Sequence, residues 1–235
     1  MIDIIRKEID GSHYYWVDGE YYPGVTSIIE AGAPTPYALK KWFKETTPEE
    51  QDEKSKTSLA FGSLIHDVAQ KLLSGVEINL ENDYPQLKAK KHIVALANWL
   101  NDVKPTILDT EQTVASKKYK YAGTLDALVK IGGKTFIVDF KTSAGIYESY
   151  HLQLSAYKQA VEEMGLAKDV GTMIVRTGTK HKRLYEAVET DATIEDFQRI
   201  YETYLWLNKG RIPEPPNMDV YPAVLSYTGS EVIWK

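Results

Sequence analysis

The chain has no cysteine among its 235 residues. That absence excludes thiolate-ligated zinc, iron–sulfur clusters and thiol catalysis, and it fits a reducing compartment. Long apolar runs are missing as well. Nothing approaches the roughly 20 consecutive residues that a membrane-spanning helix needs. The opening segment, Met-Ile-Asp-Ile-Ile-Arg-Lys-Glu-Ile-Asp, is charged and lacks the apolar core of a signal peptide. A cytoplasmic protein with no membrane association is expected. A surplus of positive charge is also lacking. The net charge of −5 argues against indiscriminate nucleic-acid binding but leaves room for a local basic track.

Such tracks are present. Basic residues gather at Lys40, Lys41 and Lys44, at Lys88, Lys90 and Lys91, at Lys117, Lys118 and Lys120, and at Lys180, Lys182 and Arg183. Groups of this kind are commonly solvated faces, so alone they carry little weight. Sixteen tyrosines and five tryptophans exceed what core filling asks for, and some could stack on bases. The apolar and charged fractions, 43% and 26%, are those of a soluble globular protein long enough to bury a large core.

The most informative stretch is Tyr-Ala-Gly-Thr-Leu-Asp-Ala-Leu-Val-Lys-Ile, then Gly132-Gly133, then Lys-Thr-Phe-Ile-Val-Asp-Phe-Lys. Two glycines between β-rich alternating runs predict a tight hairpin. If they form the loop, Ile131 pairs with Lys134, and the same register sets Asp126 opposite Asp139. One face then carries Leu125, Ala127, Val129, Ile131, Phe136, Val138 and Phe140, a wholly apolar set. The other carries Thr124, Asp126, Leu128, Lys130, Thr135, Ile137, Asp139 and Lys141. A slip of one residue would mix apolar and polar side chains throughout. Two carboxylates facing each other repel, so a chain that keeps them there is expected to hold a cation between them. Lys141, two residues after Asp139, points to the same face. Hard oxygen ligands for Mg²⁺ or Mn²⁺ beside an ammonium suit the polarisation of a phosphate and the activation of water.

Around this hairpin the pattern predicts a first hairpin over 13–22 turning at Asp18-Gly19, then a short helix through Glu30 capped by Thr26. A helix over 37–45 follows, then a loop or weak helix over 46–57. Strong helices are expected over 59–73 and 86–103, a strand over 110–116 and a helix over 145–164. Strands over 172–176 and 184–188 come next. A last amphipathic helix is capped by Asp191 or Thr193, with Ile194, Phe197, Ile200, Tyr201 and Tyr204 inward. From Ile212 the tail holds prolines 213, 215, 216 and 222 and is expected to be extended. This order implies an α/β fold, a mixed central sheet with helices on both faces.

Gly123-Thr124-Leu125-Asp126 followed by Asp139-Phe140-Lys141 resembles the PD-(D/E)XK nuclease superfamily, with Leu125 in place of that superfamily's frequent proline. Gly62-Ser63-Leu64-Ile65-His66 and Gln153-Leu154-Ser155-Ala156-Tyr157 are similar to the helices that flank the motif in the RecB-like exonuclease branch. The spacing of four sets Gly62 with His66, and Gln153 with Tyr157, on single helical faces. Tyr22-Pro23-Gly24-Val25-Thr26-Ser27-Ile28-Ile29 with Leu39-Lys40-Lys41-Trp42 looks like the opening of phage-encoded and mitochondrial-type exonucleases. The missing cysteines set the chain with the members that lack an iron–sulfur cluster.

This resemblance implies a restriction-endonuclease-like core over 59–210, an N-terminal hairpin and helical segment over 1–58 packed on it, and a Pro-rich tail over 211–235. It implies His66, Asp126, Asp139 and the backbone carbonyl of Phe140 as ligands of Mg²⁺ or Mn²⁺. Lys141 is implied as the catalytic lysine, supported by Gln153 and Tyr157. Glu111 is a further candidate, brought opposite Asp126 by a turn at Lys118-Tyr119. Lys117, Lys118, Lys120, Lys180, Lys182 and Arg183 are candidate nucleic-acid contacts. The expected activity is a DNA exonuclease acting on single-stranded or duplex ends in a bacterial or phage-infected cell, in recombination, repair or phage DNA processing, with a recombination or annealing protein as a candidate partner. A structure-specific or nicking endonuclease, a non-catalytic binding subunit and a small-substrate phosphoesterase are the competing expectations.

Overall fold

Gly132 and Gly133 both adopt left-handed φ, 56° and 88°, and close a two-residue turn between β5 (Tyr121–Ile131) and β6 (Lys134–Lys141). The ladder runs from Ile131–Lys134 to Ala127–Val138 in the register that the sequence predicts. The computed structural model describes residues 2–9, 12–209, 225–227 and 232–234.

Five strands form the central sheet in the order β4-β5-β6-β7-β8, adding β4 (Thr106–Ser116), β7 (Gly171–Thr177) and β8 (Tyr185–Glu189). All pairs are antiparallel except β6–β7. A parallel pair needs a crossover, and helix α5 (Glu148–Glu163) supplies it. On one face α3 (Pro48–Leu73) and α4 (Leu87–Val103) bury Ile65, Val68, Ile93, Leu96 and Trp99 against Ala127, Val129, Phe136, Val138 and Phe140. On the other, α1 (Val25–Gly32), α5 and α6 (Ile194–Leu207) pack on Leu128, Ile137 and Ile174. Leu125 departs from the expected alternation and joins this second cluster, with Val114 and Tyr121.

Several boundaries differ from expectation. The charged start forms an edge strand, β1 (Ile4–Ile9), on β2 (Ser12–Val17), which turns at Asp18-Gly19 into β3 (Glu20–Tyr22). The consecutive charges Arg6, Lys7 and Glu8, all exposed, suit an edge strand. This small sheet joins the core where Ala122 donates its amide to Pro23 O at 3.1 Å. Thr26 lies inside α1 rather than capping it; the cap residue is Gly24. Helix α2 spans Tyr37–Glu45 as predicted. The polar stretch after it is helical from Pro48 onward. There Thr47 and Glu50 form a reciprocal capping box, Glu50 N to Thr47 Oγ1 at 3.3 Å and Thr47 N to Glu50 Oε2 at 2.8 Å. The prolines of the tail lie outside the described residues. Two short strands within it, β9 (Leu225–Tyr227) and β10 (Val232–Trp234), pair with each other.

Candidate active site

The β5–β6 ladder ends at Ala127–Val138. In its alternation the next main-chain bond would come from the amide of Phe140. That amide donates instead to Asp126 Oδ2 at 2.7 Å. Asp126 and Asp139 therefore lie just past the end of the ladder rather than as a bonded pair within it. The other oxygen of Asp126 lies 3.1 Å from His66 Nδ1, on α3. Asp139 turns to Lys141, whose Nζ lies 2.9 Å from Oδ1 and 2.8 Å from Oδ2.

Glu111 enters from β4. The β4–β5 register places it opposite Asp126, as expected, though the turn spans Lys117–Lys120. Its backbone is left-handed, φ 52°, and it makes no ladder pair. A non-glycine residue in that region costs on the order of 1–3 kcal/mol and such residues gather at functional sites. Donor atoms of His66, Glu111 and Asp126 all lie within 4.8 Å of one another. Asp139 is outside this triad, and Phe140 is tied to the site through its amide. The expected ligand set is thus brought together in part, with Glu111 the third member of the cluster.

The charges are strongly biased. Asp126 foremost raises His66 to about 9 against the effect of burial. Burial works against ionisation of Asp126, yet His66 and Lys141 outweigh it and lower its pKa. For Asp139, burial dominates and Asp126 adds to it, lifting the carboxyl to about 6 despite Lys141. Burial opposes the Lys141 ammonium, but Asp139 and Asp126 raise its pKa overall. The arrangement favours added positive charge beside Asp126.

Lys141 is held from the second helical face. Its Nζ donates to Gln153 Oε1 at 3.3 Å, and Gln153 Nε2 donates to Tyr157 Oη at 3.1 Å. A Cβ on Gly123 would come within 2.5 Å of the Tyr157 ring, which explains the glycine that opens Gly-Thr-Leu-Asp.

A family model for the PD-(D/E)XK nuclease superfamily matches residues 34–220. The chain belongs to the PD-(D/E)XK nuclease superfamily. Its mixed sheet with helices on both faces is the fold expected of a PD-(D/E)XK nuclease. The chain is similar to the alkaline exonuclease LHK-Exo from Laribacter hongkongensis, at 11% identity over 80% of this chain and 88% of that one, TM-score 0.41. It is also similar to a candidate exonuclease from Eubacterium rectale, at 13% identity over 86% and 94%, TM-score 0.43. No curated protein matches the chain.

The basic residues named as nucleic-acid contacts divide. Lys117 pairs with Asp18, and Lys120 with Glu20 at 2.6 Å. Lys118 lies over the Tyr119 ring, 4.6 Å from its centroid. All three sit in the β4–β5 turn, about 20 Å along the strand from Asp126 at ~3.3 Å per residue. Arg183 binds Asp102, its Nε 2.7 Å from Oδ2, and staples the β7–β8 loop to α4. Lys180 and Lys182 remain exposed on that loop.

Arg6 reaches the candidate site, although the motifs do not reveal it. Its Nη1 lies 3.7 Å from Glu111 and 3.4 Å from Thr124 Oγ1. The contact to Thr124 spans 118 residues of sequence and depends on an N-terminal strand with no strong pattern. No described helix is long and apolar enough to cross a membrane.

Proposed function

We propose that this chain is a Mg²⁺- or Mn²⁺-dependent DNA exonuclease that hydrolyses phosphodiester bonds from single-stranded ends or overhangs, in recombination, repair or phage DNA processing. The observation that carries this reading is the meeting of His66, Glu111 and Asp126 within 4.8 Å beside the buried Asp139–Lys141 pair.

The residues fit a hard divalent ion. Two carboxylates and one imidazole form the cluster, and beside it lies the carboxylate of Asp139, buried against the Lys141 ammonium. His66, Glu111, Asp126 and Asp139 would hold the ion, which supplies Lewis acidity toward a phosphate and lowers the pKa of a bound water. Lys141 is the chain's own contribution to the displacement. Its ammonium, fixed by Asp139 and Gln153, stabilises negative charge on the scissile phosphate as water attacks phosphorus in line and the bond to the leaving oxygen breaks. Tyr157 holds Gln153 and so the lysine.

The recess of the site supports a single strand as substrate. The side chain of Asp139 is only 3% exposed, and those of Asp126 and Lys141 are each 15% exposed. A flexible strand can bend a phosphate into such a recess more readily than a stacked duplex.

End-labelled strands and closed circular single strands, digested over time with Mg²⁺ or Mn²⁺, test this. A ladder from one end, with the circle intact, is expected. Nicking of the circle would establish the endonuclease alternative, and cleavage in excess chelator would remove the metal-dependent mechanism.

A further inference from the structure

A groove of about 640 Å³ opens where the β6 strand ends, one residue beyond Lys141. Lys91 and His92 of α4, Thr142, and Gly178, Lys180 and His181 of the β7–β8 loop line it, and among the described residues no acidic side chain does. Arg176 also borders it, but its guanidinium is engaged, with Nη2 2.6 Å from Glu186 Oε2 and Nη1 2.9 Å from Ala144 O. It holds the wall. Lys91 and Lys180 have no ion-pair partner among the described residues. Lys91 is half-buried, so its charge is screened less than that of a lysine on an open surface.

The groove is joined to the catalytic strand. Thr177 Oγ1 donates to Lys141 O at 3.2 Å, so its single proton is committed there. His92 Nδ1, 2.7 Å from the same oxygen, must then be the donor in their bond. The groove floor is therefore fixed relative to Lys141.

Gly62 adds an independent observation. It lies within the 26-residue helix α3, one turn before His66. Glycine there is less favourable than alanine, and no close packing requires it. Among the described residues, a Cβ would meet only Thr142 Oγ1, at 4.0 Å. The missing methyl leaves space beside Thr142, between His66 and the groove.

We propose that this groove is a second phosphate subsite, in which Lys91, Lys180 and His181 take a backbone phosphate of the strand whose scissile phosphate lies at Lys141, the strand passing over Gly62. This inference rests on the nuclease reading above. It extends that reading by fixing where the strand lies outside the catalytic centre.

The test compares a hydroxyl-ended 20-nucleotide single strand with thymidine 5′-(p-nitrophenyl phosphate), which offers no second backbone phosphate. Lys91→Glu and Lys180→Glu are set against Lys134→Glu, the same charge change at the exposed Gly-Gly turn. Each groove variant is expected to raise KM for the strand about tenfold more than KM for the small ester, and Lys91→Ala to reduce the salt slope of strand binding by about one. Gly62→Ala is expected to slow strand cleavage while raising Tm. Equal losses on both substrates, or groove variants that match Lys134→Glu on the strand, overturn the subsite. A wild type that hydrolyses neither substrate overturns the nuclease reading itself. Should Lys91→Glu fail to fold, Lys180→Glu, on the exposed loop, still decides the question.

Discussion

Asp126 accepts the main-chain amide of Phe140 through one carboxylate oxygen, at 2.7 Å, and meets His66 through the other, at 3.1 Å. One side chain thus takes over from the β5–β6 ladder at its end and helps form the candidate metal cluster. Fold and site share the residue, so removing it has two consequences that a well-chosen substitution can separate.

Asp126→Asn keeps an oxygen to accept from Phe140 and loses the charge. Its Tm should fall, because the pairing with His66 is lost, but by less than that of a variant that also loses the acceptor for Phe140, with cleavage reduced by about 10³-fold or more. Asp126→Ala should lose activity and also about 1–3 kcal/mol of stability, because the Phe140 amide is left without its acceptor. Thermal melts beside cleavage assays check the pair. An Asn variant that melts like the Ala variant would show that charge, not the amide bond, sets stability here.

Glu111 and Arg6 should act with opposite sign on metal dependence. Glu111→Gln removes a carboxylate from the cluster and should raise the Mg²⁺ concentration for half-maximal cleavage, about tenfold if one oxygen ligand is lost. Arg6→Ala removes a cation 3.7 Å from that carboxylate. It should lower the Mg²⁺ requirement while raising KM for DNA. Mg²⁺ titrations of both variants measure this. A raised requirement in Arg6→Ala would mean that the arginine serves to position Glu111.

His92 gives the fold a pH dependence of its own. Burial foremost, with Lys88 and Lys91 on its own helix, lowers its pKa to about 4. Lys180 and His181 of the facing loop share its groove. An unfolded histidine, near 6.5, takes up its proton first. The stability from keeping His92 neutral is thus complete above about pH 6.5 and is lost as pH falls toward 4, on the order of 2 kcal/mol. His92→Asn, which can still donate to Thr177, should flatten that part of the curve in chemical denaturation between pH 4 and 7. An unchanged slope would assign the acid sensitivity to other groups.

The hairpin and, apart from Leu125, the make-up of its two faces are legible because a Gly-Gly turn fixes register locally and period-two alternation exposes a slip at once. His66, Gln153 and Tyr157 are legible because a spacing of four sets residues on one helical face. What is not legible is set by long-range contacts. The lysines near residue 120 read as a basic track, yet Lys120 is paired with Glu20, 100 residues away, and Arg183 with Asp102, 81 residues away. Arg6 reaches the site only because β1 adds to an edge that its charged sequence barely announces. Glu111 is placed correctly by register, but its left-handed backbone has no local sequence cause.

Gly123 should matter to catalysis without touching substrate. A methyl there would approach Tyr157 Cε1 to 2.5 Å. The ring would have to move, and its hydroxyl holds Gln153, which holds Lys141. Gly123→Ala should therefore lower kcat more than it raises KM for DNA. Tyr157→Phe keeps the ring and removes only the hydroxyl, so it should reproduce part of the kcat loss. If the effect runs through this chain, adding Gly123→Ala to Tyr157→Phe costs less than the sum of the two single losses, as expected for residues that share partners. Strict additivity would show that Gly123 acts on β5 and Asp126 directly, bypassing the tyrosine.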